Sequence, residues 1–570
     1  MRRMAFGVFA SILFSSLASA QMSMPDNGTG AMPMKMNLPP MPAIYAGEAD
    51  KPGAPMFTGL GDHHHSISTK NAETQKLFDQ GVNLLFGFNH AEAIRSFREA
   101  ARLDHDCAMC WWGVAFALGP NINLPMQEDA IAPAWAALQK ARALEDKASP
   151  EERAWIEALV TRYSSDPKAD RAKLDEAFAQ ATGKVAHDYP DDLDDAVFHA
   201  EAMMDTQPWD YYAPDGIKMK GHGDEIVATL ESVIKRDPNH PGALHLYIHA
   251  VEASTTPERA EEAADRLAKL MPGAGHIVHM PSHIYYRVGR YADAVHANEL
   301  AAQVDEQYIA ACKAQGFYPL GYYGHNIHFL WTSSEMEGRY QAAIDAARRL
   351  QKATNVAAFV EQVPQGELYM FTPIATYLRF GKWQEILAEP MPPSDLHLVI
   401  AMTLLARGFA FANTGDLANA RDTRTQLAAL VKAGLPEIDK AGMPGAQMAQ
   451  IALDELDGEI ARKSGDLDTA IDDFKKARTE ELALPYTEPP YWHQPVSHLL
   501  GAALLEAGRA READEVYRDS LKLYRDDGWA LYGLIAALRM EGRSNVAQAM
   551  LRQQQEAWQM ADVKLTSSRF

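Results

Sequence analysis

A glycine-led turn recurs through most of this chain, and it constrains the fold more than any other feature. Gly289-Arg-Tyr291-Ala-Asp-Ala294, Gly338-Arg-Tyr340-Gln-Ala-Ala343, Gly415-Asp-Leu417-Ala-Asn-Ala420, Gly465-Asp-Leu467-Asp-Thr-Ala470 and Gly508-Arg-Ala510-Arg-Glu-Ala513 share one pattern, and Gly381-Lys-Trp383 and Gly542 mark the same turn. Gly508 and Gly542 lie 34 residues apart (542 minus 508), as do Pro238 and Pro272 (272 minus 238). The sequence around these turns is rich in Ala, Leu and Glu, which favours helix over strand. A fixed period of this length marks helix pairs whose apolar faces are buried only when neighbours stack.

The spacing within a unit is specific. Gly81, Leu84, Ala93, Phe97 and Ala100 fill the small and aromatic positions 8, 11, 20, 24 and 27 of a tetratricopeptide repeat, with His105 where proline is usual. The chain thus resembles tetratricopeptide-repeat proteins over roughly residues 69–560, with insertions or degenerate units near 121–190, 305–322 and 484–494. The resemblance implies an all-α, right-handed superhelical solenoid. It divides the chain into an N-terminal solenoid at 67–355 and a C-terminal one at 356–570. Such proteins commonly dock a peptide or protein partner in the concave groove.

Residues 1–20 read as a secretory signal. Arg2 and Arg3 precede an apolar run from Ala5 to Leu17, and Ala18-Ser19-Ala20 offers a cleavage site. The run falls short of the ~20 residues needed to span a bilayer. The expected location is therefore periplasmic or extracellular, with no transmembrane segment after cleavage near Ala20. Residues 21–66 are rich in Met, Pro and Gly without a helical or strand period, which is the composition of a flexible segment. The formal net charge of -22 opposes general nucleic-acid binding and favours cationic ligands.

Family register converts scattered histidines into a pattern. In tetratricopeptide repeats, positions 2, 5, 9, 12 and 13 of each unit chiefly line the concave face. Pro272 at position 32 puts His245 at 5, His249 at 9 and Glu252 at 12. Gly289 at position 15 puts His276 at 2, His279 at 5 and His283 at 9, with Tyr286 and Arg287 following. Gly338 at 15 puts His325 at 2, His328 at 5, Thr332 at 9 and Glu335 at 12. Positions three, four and seven apart share one helical face. Neighbouring helices pack at about 8–10 Å, close enough for imidazoles of adjacent units to meet.

Imidazole clustered with carboxylate is metal-ligand chemistry, so a divalent or copper ion is expected in the groove, held by His245, His249, Glu252, His276, His279, His283, His325, His328 and Glu335. Pro281 interrupts the middle helix, which either starts near Val278 or kinks, leaving His276 on a loop. Met22, Met24, Met32, Met34, Met36 and Met41 supply soft thioethers, and His63-His64-His65 suits Cu(II). Open coordination positions would make catalysis available, with Glu252, Glu335 or Tyr286 as acid–base groups. The alternative is a non-enzymatic scaffold for a partner.

Other features carry less. Cys107 and Cys110 form a C-x-x-C that suits a local bridge or a soft metal, and Cys312 is left over. His493 and His498 read as capping or packing residues. His199 and Glu201 would extend the groove site from a unit of poor register. No H-E-x-x-H, G-x-S-x-G, Walker loop or complete G-x-G-x-x-G occurs, which removes support for classical metalloprotease, hydrolase and nucleotide-dependent chemistries.

Overall fold

The turn glycines end helices as the spacing predicts. In the computed structural model, which describes residues 39–45, 49–313, 317–353 and 366–570, Gly289 follows the Pro281–Val288 helix at φ 84°. The Arg290 amide then donates back to the Tyr285 carbonyl at 2.8 Å, satisfying a helix-end carbonyl. Antiparallel helix pairs run through the chain. Ala72–Phe86 pairs with His90–Leu103, Tyr323–Met336 with Tyr340–Ala353, and His397–Asn413 with Leu417–Ala433. Gly445–Lys463 then pairs with Leu467–Leu482, and Gly528–Met540 with Ser544–Ala557. The position-8 glycine has its steric reason as well: a Cβ on Gly81 would fall 2.3 Å from the Phe97 ring. Among the described residues there is no strand, only two isolated β-bridges. The fold is an all-α solenoid of tetratricopeptide-type helix pairs.

Two features were not anticipated. The C-terminal helices return to the middle of the chain. Trp529 Nε1–H donates to the Glu335 carbonyl at 3.0 Å and Trp558 Nε1–H to the Met336 carbonyl at 3.1 Å. The Asp562 carboxylate accepts from the Tyr340 and Gln341 amides, which caps the start of that helix. Arg525 pairs with Glu258 at 3.0 Å.

The second feature is the segment before the first helix pair. Residues 39–45 and 49–66 contain no helix pair, in keeping with their composition, yet they are no free tether. Met41, Tyr45 and Leu60 are buried. The Gly273 amide donates to the Gly59 carbonyl at 2.7 Å, and Lys51 reaches the Cys312 carbonyl. The signal-like residues and Met22, Met24, Met32, Met34 and Met36 lie outside the described residues. Among the described residues, no helix is long and apolar enough to cross a membrane.

Candidate functional site

The middle helix resolves the question posed by Pro281. Gly275–His279 runs into Pro281–Val288 through Met280, whose φ of -50° and ψ of -39° remain helical. Proline sits at the first position of the second piece, where its missing N–H costs least. His276 therefore lies in helix, not on a loop as expected, and it shares one interrupted rod with His279 and His283.

Six histidines converge. His245, His249 and His276 bring one ring nitrogen each to within 4.8 Å of one another, and so do His279, His283 and His325. His245 Nε2 lies 3.1 Å from His276 Nε2, and His279 Nε2 lies 3.0 Å from His283 Nε2. His325 Nε2 is 3.5 Å from His283 Nε2. Five of the six are buried, His325 partly exposed.

The outward nitrogens face oxygen acceptors. His245 Nδ1–H donates to the Phe86 carbonyl at 2.6 Å, and His279 Nδ1–H to Asn298 Oδ1 at 2.6 Å. The Asn298 amide is itself fixed by donating to the Ala294 carbonyl at 2.7 Å. Glu252, the residue capping the end of the Pro241–Val251 helix, binds both groups: Oε1 accepts from His249 at 3.1 Å and Oε2 from His283 at 2.5 Å. Placing the proton on Nδ1 leaves the Nε2 lone pair pointing inward. Lone pairs about 3 Å apart repel unless a proton or a metal ion lies between them, and at His283, whose charged form the carboxylates favour, the Nε2 proton has to leave before a metal ion binds. His249 Nε2 is buried without a hydrogen-bond partner, as is His276 Nδ1.

Electrostatics follow from the same contacts. Burial, then neighbouring imidazoles, hold His245, His276, His279 and His325 well below the ordinary histidine range. Burial also lowers His249, only partly offset by Glu252. His283 differs. Burial pulls it down, but Glu252 and then Glu488 outweigh that and raise it to about 9. Burial would raise Glu252, yet the His283 charge and the two imidazole N–H donors bring it down to about 2. The two imidazoles thus favour the anionic form of Glu252.

Several contributors surround the cluster; register places Arg287 on the concave face, whereas Glu488, Phe88 and Trp209 escaped sequence reasoning. Glu488, in a stretch read as an insertion, brings Oε2 to 3.4 Å from His283 Nδ1 and is raised by burial to about 6. Arg287 donates to the Glu252 and Ser254 carbonyls at 2.8 and 3.1 Å and lies over the Tyr486 ring, so it bolts the 484–494 stretch to the site. Phe88 covers His245 and His276 at ring-centroid distances of 4.6 and 5.2 Å, and Trp209 meets His249 edge-on at 5.0 Å. Phe88 has φ 56° and Trp209 φ 63°, a left-handed backbone that costs bulky residues about 1–3 kcal/mol and concentrates at functional sites.

Two expected ligands stand apart. His328 stacks on Trp331 at 5.2 Å and 4° and meets Tyr369 edge-on, and burial alone lowers it to about 3. Glu335 lies 3.6 Å from Arg379, raised by burial to about 7, and its main chain anchors Trp529. Tyr286 approaches Thr332 at 3.5 Å and packs on Tyr291. His498 donates to Asp527 at 2.5 Å and packs on Trp529; His199 contacts Thr182 at 3.1 Å. Glu201 is buried and raised to about 7, by desolvation that a nearby Arg162 only partly offsets.

The His63-His64-His65 run is engaged elsewhere. His63 and His65 meet the buried Asp194 carboxylate at 3.0 and 2.7 Å, and His64 meets Asp79 at 2.8 Å. His240 Nε2 also approaches Asp194 at 2.9 Å. His240 Nδ1, however, accepts from the Ala243 amide at 3.3 Å. That tautomer carries its proton on Nε2, and the contacts anchor the segment before the solenoid; His63, Asp194 and His240, and His65, Asp192 and Asp194, are also spaced closely enough to hold a cation. Cys107 and Cys110 are joined in a disulfide, and Cys312 is buried.

No family model matches the chain, and no curated protein does. Among solved structures it is similar to the human IFIT1 dimer with m7Gppp-AAAA, at 11% identity over 87% of this chain and 91% of that one, with a TM-score of 0.28. It is also similar to yeast Tom70, at 13% identity over 86% of this chain and 93% of that one, with a TM-score of 0.26. Likenesses this slight carry no argument about function.

Proposed function

We propose that this chain is an exported metal-binding repeat protein whose six-histidine cluster holds a transition-metal ion inside the solenoid. The observation that carries the proposal is the arrangement of the imidazoles. Nδ1–H groups of His245, His249, His279 and His283 are spent on oxygen acceptors, so the Nε2 donors turn inward. Acceptors behind ligating histidines fix ring orientation and raise donor strength. An all-imidazole set suits copper, zinc or iron. Copper is favoured by the Irving–Williams order and by the thioether-rich sequence from Met22 to Met41.

Export is supported by the signal-like residues 1–20 and by the Cys107–Cys110 disulfide, which belongs in an oxidising compartment. A tetratricopeptide-type surface also suits a protein partner. The buried histidines themselves offer a peptide no contact, so partner binding does not account for them.

The test is elemental analysis of the protein purified from the periplasm, beside a His245→Ala/His249→Ala/His283→Ala variant. Stoichiometric metal in the parent, lost from the variant, is the expected result. A parent without stoichiometric metal overturns the proposal. Export is checked separately by fractionation, with the protein cleaved near Ala20 expected in the periplasmic fraction.

A further inference from the structure

The six histidines are not one irregular cluster. His245 and His279 are 34 residues apart (279 minus 245), and His249 and His283 likewise (283 minus 249), which is the repeat period found in the turns. Each set consists of an i, i+4 pair from one helix face and a single histidine from the start of the following unit. His276 completes the first set and His325 the second. The surroundings repeat too. Phe88 packs on His245 and His276, and Phe329 packs on His279, His283 and His325 at 5.0, 4.6 and 5.2 Å. One register supplies a three-imidazole set twice.

The sets adjoin. His249 and His283 have ring centroids 5.5 Å apart, and His276 and His279 5.8 Å. Glu252 spans them, one oxygen on His249 of the first set and the other on His283 of the second. Three imidazoles leave a four-coordinate ion one open position. Ions sit about 2 Å beyond each Nε2, so sets this close place two ions within reach of one small bridging ligand. Two buried carboxylates, Glu252 and Glu488, supply negative charge beside the pair, which offsets the cost of burying dications.

We infer that the cluster is a dinuclear centre, one ion on His245, His249 and His276 and one on His279, His283 and His325, with their open positions sharing a small anion of hydroxide or azide size. The inference rests on the metal-binding reading above and extends it to stoichiometry and ligand class. The third unit explains why the series stops. Its position 9 is Thr332, so His328 has no i+4 partner and turns instead onto Trp331.

The experiment uses the full purified chain loaded with Cu(II) and freed of excess by gel filtration. Metal content and electron spin resonance intensity are measured before and after adding azide. Two copper ions per chain are expected, with a spin signal far below that of two isolated ions, shifted by azide. His245→Ala/His249→Ala and His279→Ala/His283→Ala should each keep one copper with a full one-ion signal, their folding verified by circular dichroism. One ion per parent chain, or two ions with full two-spin intensity unaffected by azide, overturns the dinuclear centre while leaving metal binding intact. A parent that takes up no copper defeats the metal-binding reading itself. The parent measurements need no variant, so a variant that fails to fold does not obscure the answer.

Discussion

Replacing His328 by phenylalanine tests whether this histidine is core or ligand. Its ring lies flat on Trp331 and burial lowers it to about 3, against about 6.5 in an unfolded chain. The unfolded state therefore binds the extra proton between these two values, and stability is present above pH 6.5 and lost as pH falls. Each pH unit is worth about 1.4 kcal/mol, so lowering the pH from 7.5 to 5.0 costs about 2 kcal/mol at this one residue. His328→Phe preserves the flat ring on Trp331 and removes the proton site. Urea denaturation of parent and variant at both pH values should show the variant losing about 2 kcal/mol less on acidification. Equal losses in the two proteins would refute the reasoning about burial. A drop in bound metal in the variant would refute the placement of His328 outside the cluster.

Chelating the metal should lower the melting temperature, since loading at 1,000 times Kd stabilises by about 4 kcal/mol; no shift would mean a site unlinked to the fold. Glu252→Gln should weaken metal binding about 10- to 100-fold by losing the carboxylate behind His249 and His283, measured by competition with a chromophoric chelator. Gly289→Ala should destabilise more than Gly508→Ala. Both have positive φ, which costs about 1–2 kcal/mol, but only at Gly289 would the new Cβ fall 2.5 Å from a backbone oxygen, that of Arg525. Equal melting temperatures for the two variants would count against the close approach. Trp529→Ala removes a buried ring packed on Phe380, Trp558 and Phe570 and should cost about 3–5 kcal/mol. Limited proteolysis should then cut the C-terminal helices first, and an unchanged digestion pattern would oppose their role as a clasp.

The helices and their turns were legible because each is written locally: Gly289, Gly338 and Gly508 are needed where the backbone turns left-handed. Register carried most of the site as well, since the i, i+4 pairs follow from helix geometry alone. It failed at His328 and Glu335 because register gives the face of a helix, not the rotamer or the neighbour that claims the side chain. Trp331 claims one and Arg379 lies beside the other. Glu488 was invisible for another reason. It comes to His283 from 205 residues away (488 minus 283) through a stretch without repeat pattern, and contact across such separation has no local signature. Phe88 and Trp209 were likewise hidden, because nothing in their neighbourhoods announces a strained backbone.

The return of the C-terminal helices onto Glu335, Met336 and Tyr340 changes what kind of object this solenoid is. An open stack of repeats frays from its last unit inward, each repeat answering only to its neighbours. Here the last units are fastened to the middle, so loosening the end also loosens the wall around the histidines. The chain is closed like a locket, its catch the contacts of Trp529, Trp558 and Asp562 with the helix pair that also carries His325.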